Sequence, residues 1–426
     1  MSLKLRREMF VLLISCLLIS SGLIWVPPSS ADEEVHATES LTQESTNLQV
    51  AVNVVSLMHK YEIPGGQFCI AKGGHIIYSG AFGWSDEACE KHVNDTNLFR
   101  IASISKVVTA VAVWQLVERG QLSLSDKAFE ILSDLKPTRT GTVDSRLNTI
   151  TVAQLLQHAS GFGYALGDPQ FKYERIAADA AGTSRPASPA AIIRYAMTDP
   201  LDFDPGTKSV YTNINFNILG RIVEKVSGQE YGDFVRKNIL EPTQITDMQL
   251  GRTDQKLKAP LEVFYWGGQN QRPSWSVFDS EPLLVASPYG GDYAIECLDS
   301  HGGWLASASD LVRLASAING SAKTAALLKS TTLDDMLSPT QFPSDGSGGF
   351  RAQGVPVNPA LKLWSHTGAM SGASAFLYSF DRDVVIAAVF NRLPTPDPFK
   401  FFQEMDDTAL SVRKKLSSAS AAKSEN

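Results

Sequence analysis

Ser103 and Lys106 stand three residues apart at the head of a long apolar segment. On a helix that spacing puts a hydroxyl and an amine on one face, one turn apart. The residues that follow, Val107, Val108, Ala110, Val111, Ala112, Val113, Trp114, Leu116 and Val117, are apolar nearly all round and predict a buried helix, ended by Gly120. An amine carried into such a helix loses water, which favours its neutral form, and a neutral lysine beside a serine hydroxyl is a base for a nucleophile. Two later segments add groups that suit the same chemistry. Tyr211 and Asn213 lie two apart, after the turn Phe203-Asp204-Pro205-Gly206 and before an apolar helix over 218–226. His366-Thr367-Gly368 precedes a strand that starts at Ala375. Three such motifs in this order, each at a loop–helix or strand junction, could point into one cleft.

Each pattern has an ordinary reading. Ser-x-x-Lys recurs at Ser133–Lys136, Ser411–Lys414 and Ser420–Lys423, and only the copy at Ser103 opens a buried helix. His158 and His301 read as packing or hydrogen-bonding residues. His36, His59, His75 and His92 are scattered without the spacing of a metal site. No metal and no cofactor are expected. No Gly-x-Ser-x-Gly occurs, which excludes the nucleophile elbow of an α/β-hydrolase. The aromatics Phe264, Tyr265, Trp266, Trp275, Phe278, Tyr289 and Tyr293 either wall a cleft or pin a long loop to the surface.

The elements that must position these residues come from both ends of the chain. Strands are expected at 67–71 and 75–81 around Lys72-Gly73-Gly74, and at 375–380 and 384–390 around Asp381-Arg382-Asp383. Helices are expected at 47–60 and 399–416. The economical fold joins both ends in one mainly antiparallel sheet flanked by helices, an α/β (α+β) architecture with a helical subdomain of about 100–300 inserted into it. A ligand would bind in the cleft between the two parts. Residues 417–426 read as a disordered tail.

The 426 residues are 43% apolar and 19% charged, enough for a sizeable core and incompatible with a disordered or low-complexity chain. A net charge of −7 with no basic block is the wrong sign for gripping nucleic acid. Residues 1–31 begin with Lys4, Arg6 and Arg7, continue with an uncharged run over 10–26 and end in Pro27-Pro28-Ser29-Ser30-Ala31, the pattern of a secretory signal cleaved after Ala31. Two alternatives remain for this segment, an uncleaved membrane anchor and a lipid on Cys16. In every version the chain is exported, periplasmic or secreted, and it meets a membrane only if the segment is retained. Residues 32–46 form a flexible acidic lead, and the domain proper is 47–416. Cys69 sits in an apolar strand pattern and reads as a buried small hydrophobe; with Cys89 and Cys297 it makes an odd number that cannot all pair within the exported chain.

These motifs resemble those of the serine β-lactamase and penicillin-binding-protein superfamily, in its class C β-lactamase-like branch of esterases, D-stereospecific peptidases and β-lactamases. The resemblance spans about residues 48–415. It includes Phe99-Arg100-Ile101-Ala102-Ser103-Ile104-Ser105-Lys106, the turn Gly120-Gln121-Leu122-Ser123-Leu124-Ser125-Asp126, the block Leu155-Leu156-Gln157-His158-Ala159-Ser160-Gly161, and Gly303-Trp304-Leu305-Ala306-Ser307. It implies that Ser103 is the acylated nucleophile and Lys106 its partner in proton transfer. Tyr211 would be the base for acylation and the acid for the leaving group, its phenol acidified by Lys106. Asn213 would orient Lys106 and the substrate, and the backbone N–H groups of Ser103 and Ala369 would form the oxyanion hole. His366, Thr367 and Gly368 would line the substrate. Many relatives carry lysine where His366 stands. A neutral histidine suits a substrate carboxylate less well, which favours ester or peptide cleavage over true β-lactamase action; a titration of activity at about 6 to 7 that is lost in His366→Lys would mark His366 as a substrate contact. The expected substrate is a small molecule or peptide. The competing expectation is an inactive relative that binds cell-wall peptide or a protein partner.

Overall fold

The computed structural model describes residues 48–165, 167–267, 273–278, 283–291, 293–321, 325–342 and 349–424. The expected signal and acidic lead lie outside the described residues. No helix among the described residues is long and apolar enough to cross a membrane. Residues 51–426 form one compact unit.

Helix α1 spans 48–60 and is followed by a hairpin of β1 (Gly65–Lys72) and β2 (His75–Gly83), turning at Gly73 and Gly74, both with positive φ. The far end of the chain supplies β3 (Phe350–Arg351), β4 (Pro356–Asn358), β5 (Leu363–Met370), β6 (Ala373–Phe380) and β7 (Val384–Phe390). The two ends meet where β1 pairs antiparallel with β7, from Gly66 opposite Phe390 to Lys72 opposite Val384. The sheet order is β2-β1-β7-β6-β5-β4-β3.

Both faces of the central strands β1, β7 and β6 are apolar because both are covered. Cys69, Ala375, Leu377, Ala387 and Val389 alternate onto the face that joins the main core. On the other face Phe376 and Phe390 meet Phe401 of the closing helix, with ring centroids 5.5 and 5.6 Å apart. That helix runs Pro398–Ser424, where a tail had been expected from Ser417. Its last segment is rich in alanine and serine, which a helix tolerates, and the Ser417 and Ser418 hydroxyls bond the carbonyls of Arg413 and Lys414 one turn back.

The region between the sheet halves leaves and returns at one neck. Phe99–Arg100 pairs with Trp304–Ala306, and Gln249–Leu250 joins the same small sheet. Inside it, α2 (Ser105–Glu118) is buried at every position from Ser105 to Leu116, as its all-round apolar sequence requires. It packs against α3 (Ile214–Ser227). Next to the neck, α4 (Ala308–Ile318) lies on the main sheet, begun by a capping box between Ser307 and Asp310. We number the closing helix α5. Among the described residues Cys69, Cys89 and Cys297 form no disulfide; Cys69 and Cys297 are buried and Cys89 is half-buried.

Candidate active site

Ser103 sits in a single 3-10 turn, Ala102–Ile104, between the neck strand and α2. Ala102 is held at φ +45, a left-handed value that is strained for a residue with a side chain and that turns Ser103 out of the strand direction. One turn on, the Lys106 ammonium is wholly buried. It reaches Ser103 Oγ at 3.1 Å, Asn213 Oδ1 at 2.7 Å and the His301 carbonyl at 3.0 Å. The Tyr211 hydroxyl donates to Ser103 Oγ at 2.7 Å. The structure thus brings Ser103, Lys106, Tyr211 and Asn213 into one cluster drawn from the turn that carries Ser103, the start of α2 and the loop before α3.

Burial sets the proton affinities. Loss of water is the largest influence on Lys106 and brings it down to about 7, partly opposed by the nearby Asp168 carboxylate. Tyr211 moves against the expectation that Lys106 would acidify it. Burial pushes its phenol up, and the hydrogen bond to Ser103 only partly offsets this. Burial thus favours the protonated phenol of Tyr211 and the neutral amine of Lys106.

The third segment docks on the nucleophile turn. A Cβ on Gly368 would stand 2.2 Å from the Ile101 carbonyl oxygen, so only glycine lets β5 lie this close to Ile101–Ser103. Ala369 follows at an exposed position beside the turn. Along β5, β4 pairs only with Leu363 and Trp364, so among the described residues no strand covers that edge of β5 from Ser365 to Met370. Thr367 is half-buried. His366 is buried on the opposite side of the strand, with Nδ1 2.8 Å from the Thr367 carbonyl. Burial, helped by the Lys106 charge, holds its imidazole down to about 3. A titration of activity at about 6 to 7 would thus not belong to His366.

Three contributors were invisible in the sequence reading. Asp168 caps the short helix Pro169–Lys172 with Oδ1 and accepts the Asn213 backbone and side-chain N–H groups on Oδ2, at 2.9 and 2.8 Å. This fixes the amide so that its oxygen faces Lys106. The local signal, an Asp-Pro helix start, was present, but its partner lies 45 residues away. The second, Arg351, stacks on the Tyr211 ring with its guanidinium carbon 5.6 Å from the centroid. The third, Arg100, is buried under the nucleophile turn. It contacts Glu262 at 3.3 Å and the Pro288 carbonyl at 2.5 Å, and lies over the Tyr265 ring.

His158 is packing, as expected, and specific in what it packs. Its ring lies against Tyr211 with centroids 4.5 Å apart, and Nδ1 accepts the Thr212 N–H at 3.3 Å. Buried His301 lends its carbonyl to Lys106. Among the aromatics, Tyr265 accepts the Arg100 N–H and Tyr289 accepts the Tyr265 N–H, which is the pinning role. Tyr293 donates to the Ser371 carbonyl just past β5, whereas Trp275 is exposed. No cluster among the described residues has the composition of a metal site.

Residues 50–408 match the profile of the family described as Beta-lactamase. Among curated proteins, the chain is 27% identical over 243 residues to "Protein flp" of Staphylococcus aureus (strain COL), covering 56% of this chain and 46% of that protein. It is 28% identical over 191 residues to "Esterase EstB" of Burkholderia gladioli, covering 45% and 48%. The matched segment spans about half the length of either relative. Among solved structures, D-amino acid amidase from Ochrobactrum anthropi SV3 superposes with a TM-score of 0.64 at 16% identity, over 87% of this chain and 99% of that one. At that identity the likeness concerns the fold.

Proposed function

The chain belongs to the β-lactamase family, whose members are of the serine hydrolase type, and from that premise we propose that it is an exported serine hydrolase acting through an acyl-enzyme on Ser103. The observation that carries this reading is the pair of proton-handling groups on one oxygen, Tyr211 at 2.7 Å and Lys106 at 3.1 Å from Ser103 Oγ. Neutral Lys106 takes the Ser103 proton as Oγ attacks the substrate carbonyl carbon. The carbonyl oxygen becomes an oxyanion, for which the Ser103 and Ala369 N–H groups are the donors we assign. On collapse the bond from carbonyl carbon to leaving oxygen or nitrogen breaks, and the leaving atom takes the Tyr211 proton. The phenolate recovers a proton from the Lys106 ammonium. Water repeats the sequence on the acyl-enzyme and frees Ser103. Asn213, held by Asp168, keeps Lys106 aimed at Oγ throughout.

His366 shapes the substrate class. Neutral at physiological pH, it gives a substrate carboxylate no charge at the position where many relatives offer lysine. Esters and amides are therefore preferred over β-lactams. The name of EstB and that of the D-amino acid amidase support both ester and amide cleavage. Export rests on the pattern of residues 1–31.

A comparison of p-nitrophenyl acetate, D-alanine p-nitroanilide and nitrocefin on the purified protein tests this reading. The ester or the anilide is expected to give the highest kcat/KM. Nitrocefin as the best substrate would overturn the preference, and no turnover of any of the three by folded protein would favour a binding-only relative.

A further inference from the structure

A groove of about 370 Å³ runs along the outer face of β5, beneath α5. Three features define its chemistry. Leu363, Ser365 and Thr367 alternate onto this face of the strand, and Phe380 lies beside Leu363 on β6. Phe402, Asp406 and Leu410, spaced by four along α5, form the opposite wall. The Asp406 carboxylate accepts the Tyr378 hydroxyl at 2.7 Å, and the lining as a whole is more apolar than polar.

The groove lining combines groups of the site, Tyr211 and Thr367 with Arg351 over the Tyr211 ring, with the apolar side chains of Leu361, Phe402 and Leu410. Tyr211 is also the group that donates to Ser103 Oγ. In the acyl-transfer reading above, on which this inference rests, Tyr211 protonates the departing atom. The departing atom must therefore lie at the Tyr211 hydroxyl, and Tyr211 is itself part of the groove lining.

We propose that this groove is the leaving-group subsite and that it selects esters of apolar alcohols, with the alcohol oxygen at Tyr211 and its hydrocarbon chain between β5 and α5. The volume lies in the range of small-ligand sites. Burying each added methylene of the alcohol is worth about fourfold in transition-state binding at most.

Ethyl, butyl and hexyl acetate test it, because their alcohols differ in length and hardly in acidity. kcat/KM reports steps through acylation, where the alcohol departs. It is expected to rise at least about tenfold from ethyl to hexyl acetate, and the rise is expected to collapse in Leu410→Trp and in Leu361→Trp, which fill the groove from opposite walls. Thermal melting identifies whichever variant is folded and usable. Binding of 1-hexanol to Ser103→Ala by calorimetry needs no turnover, and is expected to weaken at least about tenfold when Leu410→Trp is added. Hexanol binding that depends on Leu410 supports the groove even if no ester is cleaved, which would fault only the hydrolase reading. Equal rates for ethyl and hexyl acetate, or a chain-length rise and hexanol binding untouched by both fillings, would overturn the groove.

Discussion

Ser103→Ala is expected to lower kcat/KM for p-nitrophenyl acetate by at least about 10⁴-fold while leaving the fold intact. The loss is large because no other group in the cluster can take over. Lys106 and Tyr211 both direct their polar atoms at Ser103 Oγ, and with that oxygen gone neither has a bond-forming atom to serve. Groups that act as a unit lose nearly everything when the central one is removed. Removing a half-buried hydroxyl creates no core cavity, so circular dichroism and the melting temperature should match those of the parent. Retention of more than a hundredth of the parental rate by a folded Ser103→Ala protein would move the chemistry elsewhere.

Lys106→Met is expected to reduce kcat/KM by about 10² to 10⁴, the ordinary contribution of a positioned base, and to change its pH dependence as well. The amine is brought down to about 7 by burial, and only its neutral form can accept the Ser103 proton. In the parent, kcat/KM for an uncharged ester should therefore rise with pH, pass through half its limiting value at about 7, and level off above. The residual activity of Lys106→Met should not show that limb. His366 does not supply it, since it stays neutral down to about 3, and Tyr211 does not, since burial raises its phenol. A His366→Gln variant that kept the parental limb would agree with this assignment; one that lost it would return the titration to the histidine.

The parts of this site that were legible in the sequence are those set by short-range pattern. Ser103 and Lys106 stand out because α2 is apolar on every side, which makes its one lysine conspicuous. Gly368 stands out only as part of His366-Thr367-Gly368, read as lying just before a strand; it lies inside β5, and the contact that demands it, the Ile101 carbonyl, is in the segment that carries Ser103. The joining of the chain ends followed from strand pairs at both termini, and the register of β1 on β7 realises it. What escaped depends on packing between distant segments. Asp168 looks like a helix cap and is one; its second oxygen reaches Asn213 only once the loop before α3 folds over it. The direction of the Tyr211 shift turns on how deeply the phenol is buried, which no local pattern encodes. A cation nearby suggested acidification, and desolvation outweighed it. The groove depends on α5 lying over the face of β5, a contact between segments about 40 residues apart that no local pattern marks.

The acyl-enzyme is the central claim, and trapping it is the most direct test. A small fluorophosphonate probe, incubated with the folded protein and followed by intact mass measurement and peptide mapping, should add one phosphonyl group per chain, on the peptide containing Ser103. The addition should be absent in Ser103→Ala and slowed in Lys106→Met. Stoichiometric labelling of a different residue, or no labelling of protein that turns over p-nitrophenyl acetate, would contradict the account.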